Sequence, residues 1–342
     1  MANILLTTKC NRSCPYCFAQ REMAGSPAAE RLSWENLIYL ADLLQVSGER
    51  RVSLLGGEPS LHPDFVDFVL YLIERNIEVS VFTNGILSES TLEKVKEHLT
   101  VITPGPLNFV CNLNDPEQTR GSAQATRRVH QFLSIMGPWT SVGFNIYRLD
   151  FRLEFICDLV SRYGMKRHLR LGIAHPVPGQ KNCYIHPKDI GQVIQRLYSY
   201  RNLLERFRIK PGLDCGFPIC RFSDEQLGWL YRLTGQAGFG CAPAIDISPD
   251  MHVYCCFPFS QFHRRSIFDF DSLGQVRDYY AELLAKVREE LPGIYDECDG
   301  CVHLQEGVCA GGGSCQILSR FVDEAPVRLP EIESELEELR LP

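Results

Sequence analysis

Residues 3 to 18 read Asn3-Ile4-Leu5-Leu6-Thr7-Thr8-Lys9-Cys10-Asn11-Arg12-Ser13-Cys14-Pro15-Tyr16-Cys17-Phe18. The first part is a short apolar run of strand length, 4–8. The second part is a polar, Pro-containing loop with three cysteines at CxxxCxxC spacing. Three thiols on one loop after a strand can face one centre, and thiolate is the usual protein ligand of iron–sulfur clusters. Three ligands on a four-iron cluster leave one iron open, and an open position separates catalytic metals from structural ones. Zinc is the plainer alternative, disfavoured because structural zinc takes four ligands.

Outward from this loop, strand-like and helix-like segments alternate. Further strands are expected at 51–55, 79–82, 108–113, 141–147, 169–174 and 213–215. Helices are expected at 34–46, 65–73, 87–99 (capped by Ser88 or Ser90), 118–135, 153–163 and, as one long element, 187–207. Repeated βα units imply parallel strands with right-handed crossovers. About six such units precede residue 215, which suits a partial (β/α)6 barrel. Chemistry in such barrels sits at the C-terminal strand ends, where Cys10, Gly56 to Pro59, Asn84, Asn112 and Asn145 fall.

Beyond residue 215 strands shorten, and Cys, Gly and Pro become frequent. A small hairpin is expected around Pro249-Asp250, a helix at 273–289 and a Gly-rich loop at 298–315. This segment has too little apolar sequence for a core of its own, the kind of module a metal organises. The expected organisation is an α/β barrel at 1–215, a Cys-rich module at 216–325 and an acidic helix or tail at 326–342.

Composition narrows the class. The 342 residues are 45% hydrophobic and 23% charged, with a formal charge of −7. That is globular, and a poor basis for sequence-independent nucleic-acid binding, which needs clustered cations. The start lacks a signal-peptide pattern, and no apolar run is long enough to span a bilayer. A cytoplasmic location is therefore expected, with no membrane and no nucleic-acid partner. Fifteen cysteines are many for such a chain, and cytosolic thiols are rarely disulfides. Their clustering points to metal.

With Cys10, Cys14, Cys17 and the aromatic Tyr16, and with Gly56-Gly57-Glu58-Pro59 ending the second strand, the sequence resembles the radical S-adenosylmethionine (SAM) superfamily from residue 3 to about 215. The resemblance implies a [4Fe–4S] cluster on the three cysteines, with SAM on its open iron. It places Gly56, Gly57, Glu58 and Pro59 at the SAM amino group, with Glu58 and backbone as the receiving groups. Tyr16, Asn84 and Asn145 are further candidate SAM contacts. The implied chemistry is reductive cleavage of SAM to methionine and a 5′-deoxyadenosyl radical, which takes a hydrogen atom from the substrate.

Nine cysteines follow: Cys215, Cys220, Cys241, Cys255, Cys256, Cys298, Cys301, Cys309 and Cys315. They look like the SPASM/twitch extension of radical SAM maturases, which carries auxiliary [4Fe–4S] clusters. The spacing is stretched, and the family's last cysteine is missing. One or two auxiliary clusters are implied. The expected partition sets Cys220, Cys241, Cys256 and Cys315 at one, and Cys298, Cys301, Cys309 and Cys215 at the other, with Cys255 spare. Cys111, Cys157 and Cys183 read as ordinary thiols. The resemblance favours oxidative crosslinking or dehydrogenation of a peptide or protein side chain. A flavodoxin or ferredoxin reductant would be needed, and a separate peptide-recognition partner is possible. Radical tailoring of a small molecule, such as an amino sugar or antibiotic precursor, is the runner-up. A non-catalytic iron–sulfur electron carrier is the reading from another class. It leaves Gly56 to Pro59 unexplained. Asn112, Tyr147, Arg170 and His175 are candidate pocket residues; no side chain stands out as acid or base.

Overall fold

The computed structural model describes residues 2–19, 30–102, 105–118, 123–177, 182–235, 238–241, 244–260 and 263–317. The tail expected at 326–342 lies outside them. Seven strands follow one another in the first two thirds: β1 (Ala2–Thr7), β2 (Arg51–Gly56), β3 (Glu78–Thr83), β4 (Leu107–Asn112), β5 (Thr140–Ile146), β6 (His168–Ile173) and β7 (Lys210–Leu213). Each pairs in parallel with the next. The intervening helices include α1 (Trp34–Val46), α2 (Phe65–Glu74), α3 (Glu89–Lys94), α4 (Ala123–Met136), α5 (Glu154–Tyr163), α6 (Ile190–Ser199) and α7 (Arg201–Phe207). The βα alternation read from the sequence is therefore present. The sheet ends on β7 and does not close, which makes it a partial barrel.

Strand β1 shows how one sequence serves two faces. Ala2, Ile4 and Leu6 belong to the large core under the helices. Leu5 points the other way, into a smaller cluster with Ala19, Tyr254 and Phe257. The period of two follows from the pleat. Serines fix helix starts: Ser33 Oγ accepts from the Asn36 N–H (3.2 Å), and Ser88 Oγ from Thr91 (3.1 Å). Of the two serines considered for that second helix, Ser88 is the cap.

Three differences from the expectation matter. The long helix at 187–207 is two, α6 and α7, parted at Tyr200, whose ψ is 2°. Tyr200 packs its ring on Phe151 and reaches Glu154 with its hydroxyl (3.3 Å). Strand β7 ends at Leu213, so Cys215 lies beyond it. A helix not foreseen, α8 (Asp224–Thr234), starts at a reciprocal capping box between Ser223 and Gln226 and ends on left-handed Gly235; both are standard boundary signals.

The Cys-rich module is continuous with the barrel. Its hairpin, β8 (Ile245–Ile247) and β9 (His252–Cys255), is antiparallel, with Pro249-Asp250 between the strands. But β8 also pairs in parallel with β1, and β10 (Arg265–Ser266) extends the same sheet. The result is one ten-stranded sheet, ordered β10-β9-β8-β1-β2-β3-β4-β5-β6-β7. The module does not lack a core, because it borrows one: Ile245, Val253 and Ile267, with Leu273, Val276 and Tyr280 of α9 (Leu273–Glu290), join the barrel's cluster.

Candidate active site

Loop 8–18 leaves β1 at the C-terminal end of the sheet and is tied to three other strand ends. The Gly57 N–H donates to Thr7 O (2.8 Å) and the Glu58 N–H to Lys9 O (2.7 Å), which zips the exit of β2 onto the exit of β1. This contact explains the two glycines. A Cβ on Gly56 would stand 2.3 Å from the Thr7 carbonyl oxygen, and one on Gly57 2.2 Å from that of Lys9. Gly56 also has φ +147°, a conformation open to glycine. Arg12 then reaches across, donating to Asn112 O (3.0 Å) and Asn84 O (3.2 Å) at the ends of β4 and β3.

Glu58 is 1% exposed. Its Oε1 accepts from the Ser60 N–H (3.2 Å), the Ser60 hydroxyl (2.7 Å) and the Thr83 hydroxyl (2.7 Å); its Oε2 accepts from the Asn84 N–H (2.7 Å). A carboxylate offers roughly four acceptor sites. Burial pushes this carboxyl up in pKa, and the donated bonds oppose it. The side chain expected to receive a ligand ammonium is thus largely engaged in bracing β2 to β3.

Next to this loop lies a cavity of about 340 Å³. Cys10, Cys14, Cys17, Tyr16, Gly56, Gly57, Glu58, Asn84 and Asn145 all border it, so the candidate cofactor residues converge, except Pro59, which is buried outside its lining. Asn112, Arg170 and His175 border it too. Tyr147 lines a second cavity of about 620 Å³ on the other side of the loop. Two glycines make room for side chains that border the first cavity. Gly143 is the register partner of Asn112, and a Cβ there would stand 2.2 Å from Asn112 Oδ1. Gly172 pairs likewise with Asn145, at 3.0 Å.

The polar groups on the wall are unevenly satisfied. The Oδ1 of Asn112 and the Nδ1 of His175 are buried and meet no hydrogen-bond partner among the described residues. Burial lowers the His175 pKa to about 4, so the ring is neutral at pH 7. Arg170 pairs with Asp214 and lies 5.2 Å above the Phe82 ring. Asp246, in the middle of β8, is 1% exposed and borders the cavity; its Oδ1 accepts from Asn3 Nδ2 (2.7 Å). Burial raises its pKa to about 7. The sequence reading missed Asp246. A lone carboxylate between Ile245 and Ile247 in a buried strand was the available signal.

The later thiols fall into two neighbourhoods. Cys315 is pushed up by burial, with Cys215 and Cys241 as neighbours that add to it; Cys256 is pushed up first by its hydrogen bond with Cys255 and by burial, with Asp246, Cys255 and Cys315 adding to them. The Ser314 N–H points at Cys241 Sγ (3.4 Å), and the Ala244 N–H at Cys256 Sγ (3.2 Å). Cys220 instead has Cys298 and Cys309 as neighbours, and Cys298 has Cys301 and Cys309. The expected partition is therefore exchanged at one position: Cys215 stands with Cys241, Cys256 and Cys315, and Cys220 with Cys298, Cys301 and Cys309. The reason is that β7 ends at Leu213, which delivers Cys215 to the cavity wall, while Cys220 sits on the following turn, away from that wall. Cys215, Cys256 and Cys315 border the same cavity as Cys10, Cys14 and Cys17. Cys111 and Cys157 are buried and Cys183 is exposed.

Among the described residues no group of three or more Cys, His, Asp or Glu side chains is placed to hold a metal ion. The donor chemistry, thiols grouped on the wall of one cavity, is that of iron–sulfur ligation. No helix among the described residues is long and apolar enough to cross a membrane.

The sequence model of the radical SAM superfamily matches residues 4–108. Over 222 residues the chain is 33% identical to molybdenum cofactor biosynthesis protein 1 of Mus musculus, a match that covers 62% of this chain and 32% of that protein. The chain thus spans about a third of that relative's length. The structure of anSMEcpe with bound AdoMet superposes with a TM-score of 0.63 at 15% identity, covering 99% of this chain and 96% of that one. The Streptococcus suis SuiB structure bound to precursor peptide SuiA gives 0.56 at 14% identity, covering 79% and 63%. Both likenesses are of fold.

Proposed function

We propose that this chain, whose residues 4–108 match the radical SAM superfamily, is an enzyme of that kind that oxidises a peptide or protein side chain held between two sets of thiols. The observation that carries this reading is the shared cavity: Cys10, Cys14 and Cys17 on one wall, and Cys215, Cys256 and Cys315 on another. Cys10, Cys14 and Cys17 would hold the SAM-binding [4Fe–4S] cluster. Cys215, Cys241, Cys256 and Cys315 would hold one auxiliary cluster, and Cys220, Cys298, Cys301 and Cys309 a second. When bound, the clusters and SAM supply hydrogen-atom abstraction through a 5′-deoxyadenosyl radical and an acceptor for one electron. The substrate would give up one hydrogen atom, then one electron to that acceptor and one proton to water, and would leave two hydrogens lighter.

The chain's own residues supply the setting. The turn at 56–59 offers backbone to the SAM amino group, since the Glu58 carboxylate is mostly engaged. Asn84, Asn145 and Tyr16 line the space beside the thiols. Asn112 Oδ1 and His175 Nδ1, buried and without a partner among the described residues, are positions for donors and acceptors of a bound molecule. A cavity of about 340 Å³ is at the low end of ligand sites, and beside a nucleoside-sized cofactor it favours a single side chain as the second occupant. SuiB, similar in fold, has been seen with a precursor peptide, which supports the same choice. A reductant such as flavodoxin or ferredoxin, a cytoplasmic location and a separate peptide-recognition partner belong to this reading.

A small-molecule substrate is the second reading, favoured by the likeness over 222 residues to a molybdenum cofactor biosynthesis protein. One experiment addresses both. The protein is reconstituted anaerobically with iron and sulfide and given SAM and a strong reductant. 5′-Deoxyadenosine is then quantified by mass spectrometry with and without candidate peptides and small molecules. Stimulation by peptides, with a peptide product two hydrogens lighter, is expected. Stimulation by small molecules alone would favour the second reading. A protein loaded with iron that neither binds nor cleaves SAM would defeat both.

A further inference from the structure

Asn114 sits two residues past the end of β4, with its backbone held in place. The preceding Leu113 N–H donates to Gly143 O (2.9 Å), and the following Asp115 pairs with Arg152 (3.6 Å). Its side-chain amide has two different ends and two different neighbours. Oδ1 accepts from the Tyr16 hydroxyl (2.5 Å), and Nδ2 donates to Cys14 Sγ (3.7 Å). A ligating thiolate carries no proton and only accepts, so the NH₂ faces the sulfur and the amide oxygen is left to take the Tyr16 O–H. Tyr16 is in turn buried and stacked on Tyr147, with ring centroids 4.8 Å apart. The hydroxyl also lies near Cys14 and Asn145. Asn84 makes a weaker version of the same approach, with Nδ2 3.9 Å from Cys10 Sγ and 2.8 Å from Asn11 Oδ1.

We propose that Asn114, oriented by Tyr16, is a positioning residue that sets the reduction potential of the cluster on Cys10, Cys14 and Cys17. A donor aimed at a thiolate sulfur withdraws charge from it and favours the reduced, more negative state of the cluster. Electron delivery to that cluster begins the reaction, so the amide eases the demand on the reductant. The inference rests on the three cysteines holding a cluster, and the test separates the two claims.

The test is an anaerobic potentiometric titration of the reconstituted full chain, followed by electron paramagnetic resonance. Only the reduced signal that SAM alters is read, which singles out the cluster with an open iron. Asn114→Ala is expected to shift its midpoint to a more negative value at unchanged iron content. Asn114→Asp, which places an acceptor where the donor was, shifts it further. Tyr16→Phe, which frees the amide to turn, gives a smaller shift in the same direction. It carries the test if the Asn114 variants assemble no cluster. An unchanged midpoint in the assembled variants overturns the proposal and leaves the cluster reading intact. No SAM-sensitive signal in the unaltered protein overturns the cluster reading itself.

Discussion

Cys10, Cys14 and Cys17 lie on one loop, whereas Cys215, Cys241, Cys256 and Cys315 come from four segments between a strand end and the chain's last described helix, α10 (Val302–Gln305) being followed by α11 (Ser314–Ile317). The first set is positioned by its own spacing and by bonds from Gly57, Glu58 and Arg12 to neighbouring strand ends. The second set exists only once β8 has paired with β1 and β7 has ended near the cavity. Local spacing can therefore identify the first site and cannot apportion the second. The two sets also have different tasks in the proposed reaction, and that difference can be broken experimentally.

The largest expected effect is loss of SAM cleavage. Cys14→Ala should reduce 5′-deoxyadenosine to the level of a no-enzyme control and remove one cluster's iron, leaving the rest. Cys315→Ala should do the reverse: SAM cleavage persists while formation of oxidised product is lost. Equal loss of cleavage in both variants would mean that the second set is needed to build the first, and the comparison of roles would fail. Next in size is the grouping of thiols. Cys215→Ala should match Cys315→Ala in iron content and spectrum, and Cys220→Ala should match Cys298→Ala. The opposite pairing would restore the partition read from the sequence.

That partition shows where legibility ends. The βα alternation, the start of α1, the hairpin at β8–β9 and the cysteine loop follow from periodicity, caps and spacing within about twenty residues. The break at Tyr200 did not, because it depends on packing against Phe151 and Glu154 on another unit. The glycines of the second strand end were legible as part of the turn expected at the SAM amino group. What approaches them is the backbone of Thr7 and Lys9, contacts known only from the pairing of β2 with β1. Asp246 was passed over for the same reason: its place on the cavity wall depends on β8 joining β1, across more than two hundred residues.

Those glycine contacts give a stability prediction of intermediate size. Gly57→Ala puts a methyl against a carbonyl that cannot move without parting β1 from β2, and should cost about 1–3 kcal/mol. Gly143→Ala meets the Asn112 side chain, which can swing, and should cost less while narrowing the cavity. Urea unfolding of the two metal-free variants compares them; equal costs would mean that the β1–β2 zipper is not rigid.

In the unaltered protein the smallest effect is in pH, where two buried groups on the cavity wall oppose each other. The His175 pKa is depressed to about 4, against about 6.5 unfolded. Between these values the unfolded chain binds the extra proton, so His175 contributes stability that is present above about pH 6.5 and lost as pH falls toward 4. Asp246 is raised to about 7 from about 3.9 unfolded. Here the folded chain holds the extra proton, so the stability from Asp246 is present below about pH 3.9 and lost as pH rises toward 7. The slopes oppose each other between about pH 4 and 6.5, each at most about 1.4 kcal/mol per pH unit, and the unaltered metal-free protein should show little net dependence on this pair. His175→Gln should then lose stability with rising pH across that window, and Asp246→Asn with falling pH. Slopes of the same sign in the two variants would mean that one of these groups is not buried in the folded chain as the cavity wall requires.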